Sequence, residues 1–358
     1  MSGFRAALIA IAVVGAVAPA TAQDAFYKGK RLTLMINFAA GGPTDIEGRL
    51  FARHIQRHIA GQPNIIIQNM DGAGGLIGTH WLGEVAPKDG TALGYLTGAA
   101  WQYATQPDKS RTDLRTYEFV AYQPGTSIYF VRKDVAPGMN AATDLIKAKG
   151  LVSGGLGAEN SKDILMRLGL DMLGMKYQHV TGYRSNTNAR IALQRNEISF
   201  FSESPPGYRA TVEPTLVKDG VVIPTWYDPG WNGETILVPK QVEGLTVQPF
   251  HELYQAIHGK MPSGQLWDVY LASLAINSAM QRLVLMPPGA PAGALEALRA
   301  ATNRLNGDKA FAEEAFKLMG FVPEFVASAE TNRQVRQALV VKPEIREFVA
   351  AYIKRANK

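Results

Sequence analysis

The chain has no cysteine among its 358 residues, which excludes disulfides, thiolate metal sites and a cysteine nucleophile at once. Packing alone must stabilise it. It also lacks any block of about five or six like charges. The 37 Lys and Arg against 31 Asp and Glu leave a net charge of +6, mild and spread out, which argues against nucleic acid as a partner. That balance is compatible with an anionic small ligand and equally with a solvated surface. Three motifs are missing as well: the G-x-x-x-x-G-K-[ST] loop for nucleotide phosphates, the G-x-S-x-G elbow of a hydrolase and the H-E-x-x-H helix of a zinc enzyme. His54 and His58 have the i, i+4 spacing of two metal ligands, but Arg53 and Arg57 beside them suggest a solvated basic face.

Long apolar runs are scarce too. One stands at the start, where Arg5 precedes a small and apolar stretch over 6–17, and Pro19-Ala20-Thr21-Ala22 offers small residues for a cut before Gln23. This predicts a secretory signal peptide over 1–22. The run is shorter than the roughly twenty residues that span a bilayer, and no later stretch does better. The expected mature chain is soluble, has 336 residues (358 less 22) and carries +5 once Arg5 is removed. That length allows two domains. Export without cysteine points to a bacterial periplasm.

What is present is glycine, placed at strand-to-helix turns. Phe38-Ala39-Ala40-Gly41-Gly42-Pro43-Thr44-Asp45 follows a strand-like stretch over 32–36. Gly72-Ala73-Gly74-Gly75-Leu76-Ile77-Gly78 follows one over 65–67. Glycine lets a backbone approach a ligand closely, and the helix behind it aims free N–H groups and a positive dipole end at a carboxylate or phosphate. Each could equally be an ordinary βα turn. Behind the first turn, Ile46, Leu50, Phe51, Ile55 and Ile59 recur at helical spacing with Thr44 or Asp45 placed to cap. Repeated βα units predict an α/β fold with parallel sheets, whose ligands bind beyond the carboxyl ends of the strands. The pattern recurs downstream: a strand over 127–131, a helix ending near Lys147 and Lys149, then 151–153 feeding Gly154-Gly155-Leu156-Gly157-Ala158-Glu159-Asn160-Ser161 and a helix from Asp163. A strand over 177–180, a turn at Gly182-Tyr183-Arg184-Ser185, a helix over 187–195 and a strand over 198–201 follow. Around Trp226, Tyr227 and Trp231 the pattern reads as an irregular surface segment, before a helix over 266–279 and a strand over 283–286.

These motifs, with Pro87-Lys88-Asp89-Gly90-Thr91, His179-Val180-Thr181-Gly182-Tyr183-Arg184 and Pro287-Pro288-Gly289-Ala290-Pro291, stand in one order over 28–225 and 281–358. In that order they resemble the solute-binding receptors of tripartite tricarboxylate transporters, the Bug family. The resemblance implies a type II periplasmic binding protein: two doubly wound α/β domains joined by crossover strands. It maps domain one to 23–124 plus 281–358 and domain two to 125–226, with a longer variable segment, 227–280, packed alongside. It further implies a small carboxylate (a di- or tricarboxylate or an aromatic acid) held between the domains by main-chain groups and ordered waters. The receptor would be a monomer without a cofactor, metal or catalysis, delivering to large and small membrane subunits. The implied ligand-binding positions in domain one are Phe38, Ala40, Gly41, Gly42, Thr44, Asp45, Ala73, Gly74, Thr97 and Ala99. In domain two they are Gly157, Ala158, Asn160, Ser161, Tyr183, Arg184 and Glu203.

Three departures from the family pattern fall on the far half of the cleft. The stretch Ala158-Glu159-Asn160-Ser161-Lys162-Asp163 replaces a usual Gly-Ser ahead of a His, so the hydroxyl donor moves to Ser161 or gives way to Asn160. Tyr183-Arg184-Ser185 replaces Tyr-Lys-Gly, offering Arg184 as a bidentate clamp for a second carboxylate or as a solvated turn residue. The segment 227–280 is longer than usual. Asp45 and Glu203 also have plainer roles, as a cap and a turn residue, and Trp101 and Tyr103 are either cleft walls or core. A nucleotide enzyme is disfavoured because Ile77 stands where G-x-G-x-x-G needs its third glycine. A sensor presenting its closed form to a signalling partner would use the same cleft.

Overall fold

The computed structural model describes residues 26–356, and the expected signal peptide lies outside them. The chain opens with β1 (Arg31–Ile36), α1 (Pro43–Ile55), β2 (Asn64–Asn69), α2 (Leu76–Glu84), β3 (Ala92–Thr97), α3 (Ala99–Thr105) and β4 (Glu118–Gln123). It passes through Pro124 and Gly125 into β5 (Ile128–Arg132), β6 (Leu151–Gly154), α4 (Ser161–Met172), β7 (Tyr177–Val180) and α5 (Asn186–Gln194). Then come β8 (Phe200–Glu203), a short α6 (Pro205–Gly207) running into a π-helical stretch over Tyr208–Val217, and β9 (Val222–Tyr227). The remainder is β10 (Gly230–Trp231), β11 (Ile236–Leu237), α7 (Phe250–His258), α8 (Gln265–Asn277), β12 (Arg282–Met286), α9 (Ala292–Asn306), α10 (Lys309–Met319), α11 (Ala329–Ala338) and α12 (Pro343–Ala356).

Two five-stranded sheets share one design. The first runs β2-β1-β3-β12-β4 and the second β7-β6-β8-β5-β9. In each, the first three strands are parallel and the fourth is antiparallel to both neighbours. That inserted strand, β12 or β5, is the one that arrives from the other domain. The fold is thus two α/β domains joined by crossover strands. It follows from the βαβ pattern, because a parallel neighbour needs a helical crossover while β5 and β12 enter from elsewhere.

Helices on both faces bury the sheets. On α1, Leu50, Phe51 and Ile55 face the first sheet, and the Phe51 ring lies 5.1 Å from Phe325 and 5.6 Å from Tyr95. Each such side chain contributes roughly 1.5–3 kcal/mol by burial. Trp226 and Tyr227 are core, which corrects the surface reading for them, while Trp231 is half-buried and 232–235 are exposed. Trp226 is the inward residue of β9, stacked on Tyr129 at 4.7 Å and met edge-on by Phe250 of α7 at 5.5 Å. Tyr227 is buried too. The Pro229-Gly230 turn lies beyond this strand, so it says nothing about exposure within it. The expected helix before Gly150 is a single 3₁₀ stretch, Ala142–Lys147. His54 and His58 do not form a solvated face. His54 Nε2 meets Glu314 Oε2 and His58 Nε2 meets Asp308 Oδ2, both at 2.5 Å, because α10 packs across α1. Among the described residues no helix is long and apolar enough to cross a membrane.

Candidate binding site

The five βα loops after β1, β3, β6, β7 and β8 converge on one cavity between the two sheets. All five leave the carboxyl ends of parallel strands, where doubly wound folds bind ligands. Phe38, Gly42, Thr44 and Thr97 line it from the first domain, and Asn160, Ser161, Lys162, Ser185 and Asn186 from the second. Asn277 and Gln281, where the chain returns to the first sheet, close one side. The cavity volume is about 40 Å³.

The first turn is built around its glycines and proline. Gly41 takes φ +79°, Gly42 is the N-cap of α1, and Pro43 occupies the first helical position with its φ preset. Thr44 and Asp45 therefore lie inside the first turn, which corrects the expected cap. No side chain caps α1, so its leading N–H groups keep their donor capacity at the cavity. Asp45 braces the turn by accepting from the Gly41 N–H at 2.9 Å and from Arg49 Nε at 2.8 Å. Its burial alone would raise its pKa, but Arg49, the Gly41 N–H and Asn69 hold it below the usual carboxylate range. Thr44 Oγ1 lies 2.9 Å from Thr97 Oγ1. The buried Asn37 fixes Thr97, its amide donating to the Thr97 carbonyl and its oxygen accepting from the Thr97 N–H, both at 3.0 Å.

The second glycine turn supports the first. Gly75 takes φ +99°, and a Cβ there would sit 2.4 Å from Asn37 Nδ2. The Gly74 carbonyl accepts from Gln102 Nε2 at 2.8 Å. Ala73 and Gly74 do not line the cavity, nor do the exposed Ala40 and Gly41, the buried Ala99, or Asp45.

In the second domain, Asn160 caps α4 by accepting from the Lys162 N–H at 3.1 Å, and Ser185 caps α5 by accepting from the Asn188 N–H at 3.2 Å. Ser161 Oγ donates to Asn277 Oδ1 at 2.9 Å. The Gly157 N–H donates to Asp163 Oδ2 at 2.8 Å, and Asp163 is pushed up to about 7 by burial. Beside it, burial and Arg167 push His179 down to about 4. Gly157, the buried Ala158 and the half-buried Tyr183 stay outside the cavity lining.

Two more expected ligand residues also stay outside the lining. The Arg184 side chain is 83% exposed and lies 3.6 Å from Asp71, at the rim, because its turn projects past the capping Ser185. Glu203 is fully buried beneath the cavity, accepting from Arg190 Nη1 and Asn186 Nδ2. Trp101 is core and bridges the domains, donating from Nε1 to the Glu159 carbonyl at 3.3 Å. Tyr103 donates to Asp113 Oδ1 at 2.6 Å and does not line the cavity. The sequence reading missed Lys162, Ser185, Asn186, Asn277 and Gln281, of which only Ser185, a hydroxyl directly before a helix, carried a local signal.

Paired α/β domains of matching strand order, enclosing a cavity at their helix N-termini, define the periplasmic binding protein fold. The structure of the periplasmic binding protein BugD shares it at a TM-score of 0.65 and 17% identity, over 92% of this chain and 99% of that one. MatC from Rhodopseudomonas palustris with bound malate matches at 0.61 and 17%, over 92% and 98%. An R. palustris protein with adipate matches at 0.63 and 15%, over 91% and 98%. In sequence the chain is similar, over part of its length, to UPF0065 proteins and to BugT. A UPF0065 protein of Agrobacterium vitis is 29% identical over 182 residues, 49% of this chain and 52% of that protein. BugT of Bordetella pertussis is 41% identical over 85 residues, 24% of this chain and 25% of that protein. The chain thus matches about half or less of the length of these curated relatives. No protein-family profile matches it.

Proposed function

We propose that this chain is a periplasmic solute-binding receptor that captures a small carboxylate between its domains and delivers it to the membrane subunits of a tripartite tricarboxylate transporter, without catalysis. One observation carries the reading: the N-termini of α1, α4 and α5 meet at a cavity lined, among the described residues, by one lysine and by no Asp or Glu. Helix N-termini offer N–H donors and a positive dipole end, each charge-assisted bond to an anion being stronger than a neutral one. The malate and adipate held by two proteins of the same fold support acids as the ligand class. Residues proposed to contact the carboxylate are Gly42, Thr44, Thr97, Asn160 and Ser161. Closure around the ligand would favour one domain arrangement by differential affinity, the signal a transporter could read. Thermal-shift measurements against mono-, di- and tricarboxylates and neutral sugars test the reading. Stabilisation by acids and not by sugars is expected; stabilisation by sugars alone would overturn it.

A further inference from the structure

Lys162 is 8% exposed and lines the cavity at the start of α4. Its Nζ donates to Asn186 Oδ1 at 3.2 Å and to the Ser202 carbonyl at 3.0 Å, and lies 4.9 Å from the centre of the Phe201 ring. All three partners are uncharged. Two other buried cations are paired, Arg190 with Glu203 and Arg282 with Glu47, while Arg167, also without an ion pair, donates to the Tyr352 carbonyl away from the cavity lining. Lys162 has no carboxylate within 4.0 Å among the described residues, and the closest in sequence, Asp163, is engaged by the Gly157 N–H. Glu203 makes no ion pair with Lys162: Asn186 stands between them, its oxygen accepting from the lysine while its nitrogen donates to the glutamate, so the Glu203 and Asp163 charges act on the ammonium only from beyond contact.

A buried cation without a counter-charge is costly, and proteins keep one where something else supplies the charge. Asn186, which holds the ammonium, also lines the cavity, so the gap in compensation opens onto the ligand space. Two of the ammonium's three hydrogens are used, leaving one donor. The N-terminus of α1 faces the same cavity from the other domain.

Building on the carboxylate reading above, we infer that Lys162 is the specificity-determining residue of this receptor: it meets a second anionic head, so the preferred ligand is a short dicarboxylate bridging α1 and Lys162. The first carboxylate sits at the uncapped α1 terminus with Thr44, and the second completes an ion pair that the protein leaves open. This donor differs in kind from the main-chain groups and waters that the family resemblance implies. It also replaces Arg184, whose exposed side chain stands at the rim.

Calorimetry on the wild type, Lys162→Met and Lys162→Gln with two matched pairs, succinate against butyrate and adipate against hexanoate, tests this. In the wild type a diacid should bind more tightly than its matched monoacid. Lys162→Met should weaken the diacid by about tenfold or more, the range for one charged hydrogen bond, and the monoacid by less than about threefold. Unliganded Lys162→Met should unfold at the same temperature as the wild type or a higher one, since a buried charge is removed. Should Met not fold, Lys162→Gln serves the same comparison. Equal losses for diacid and monoacid, or no loss for either, would overturn the second-head assignment while leaving the carboxylate receptor intact. No binding of any acid by the wild type would overturn both.

Discussion

Replacing Glu203 by Gln tests the charge arrangement beneath the cavity without substituting a residue of its lining. The carboxylate is fully buried and accepts from Arg190 and from Asn186, and the Arg190 side chain is itself only 11% exposed. Gln keeps the size and one acceptor but removes the charge, stranding Arg190 and taking away the longer-range support that Glu203 gives Lys162, which has no ion pair of its own. Asp163 cannot substitute, since it makes no ion pair with Arg190 or Lys162 and accepts from the Gly157 N–H instead. Breaking a buried pair from one side costs about 3–5 kcal/mol, whereas an exposed pair such as Lys240–Glu324 is worth about 0–1 kcal/mol. Urea unfolding of Glu203→Gln at neutral pH should therefore show a loss of about 3 kcal/mol or more. Adding Lys162→Met removes one of the two stranded cations and should recover part of that loss, a coupling that a double-mutant cycle measures. A loss below about 1 kcal/mol would show that water reaches the pair, and the case for Lys162 as an uncompensated cation would fall with it.

Gly75→Ala should cost about 2 kcal/mol or more in urea unfolding, because φ of +99° strains alanine and its Cβ would displace Asn37; Gly174→Ala, at φ +72° in open space, should cost only the conformational part. Asp228, buried and accepting from the Tyr129 and Tyr270 hydroxyls, is pushed up to about 7 by burial. A carboxyl whose folded pKa exceeds its unfolded value near 4 holds its proton longer in the native state, so stability should fall as pH rises from about 4 to about 7. Asp228→Asn should flatten that decline in urea titrations at pH 5 and pH 8, and an unchanged slope would refute the assignment. Arg184→Ala should alter ligand affinity by less than about threefold in calorimetry, since its contact with Asp71 is an exposed one.

Much of the scaffold was legible because glycine and proline have few uses. The three glycine-rich turns and the α/β class follow from turn chemistry and βα alternation, the crossover strands were implied by the family resemblance, and the first and third turns do line one cavity. The second turn looked identical locally. Its glycines are needed for closeness to Asn37 rather than to a ligand, a distinction that depends on β1 lying beside it. The capping position was readable in retrospect, since Pro43 at the first helical position puts Gly42 at the cap. Lys162 was not. A lysine in the first turn of a helix normally reaches solvent, and its burial arises from β8 and the start of α5 closing over it, contacts made 24 and 40 residues downstream. The exposure of Arg184 was not legible for the opposite reason: a ligand-like residue type sits on a turn just before the capping Ser185 and faces solvent. Trp226 was misread because the adjacent Pro229-Gly230 turn masks a strand that α7 and α8 cover.

A crystal structure of the mature protein grown with saturating succinate tests the central claim most directly. One carboxylate should lie at the N-terminus of α1 within hydrogen-bond distance, about 2.7–3.2 Å, of Thr44 or the α1 N–H groups, and the other should meet Lys162 Nζ. Succinate bound elsewhere, such as the separate hollow beside Trp231 and Leu237, with the cavity between the sheets holding only water, would contradict the account.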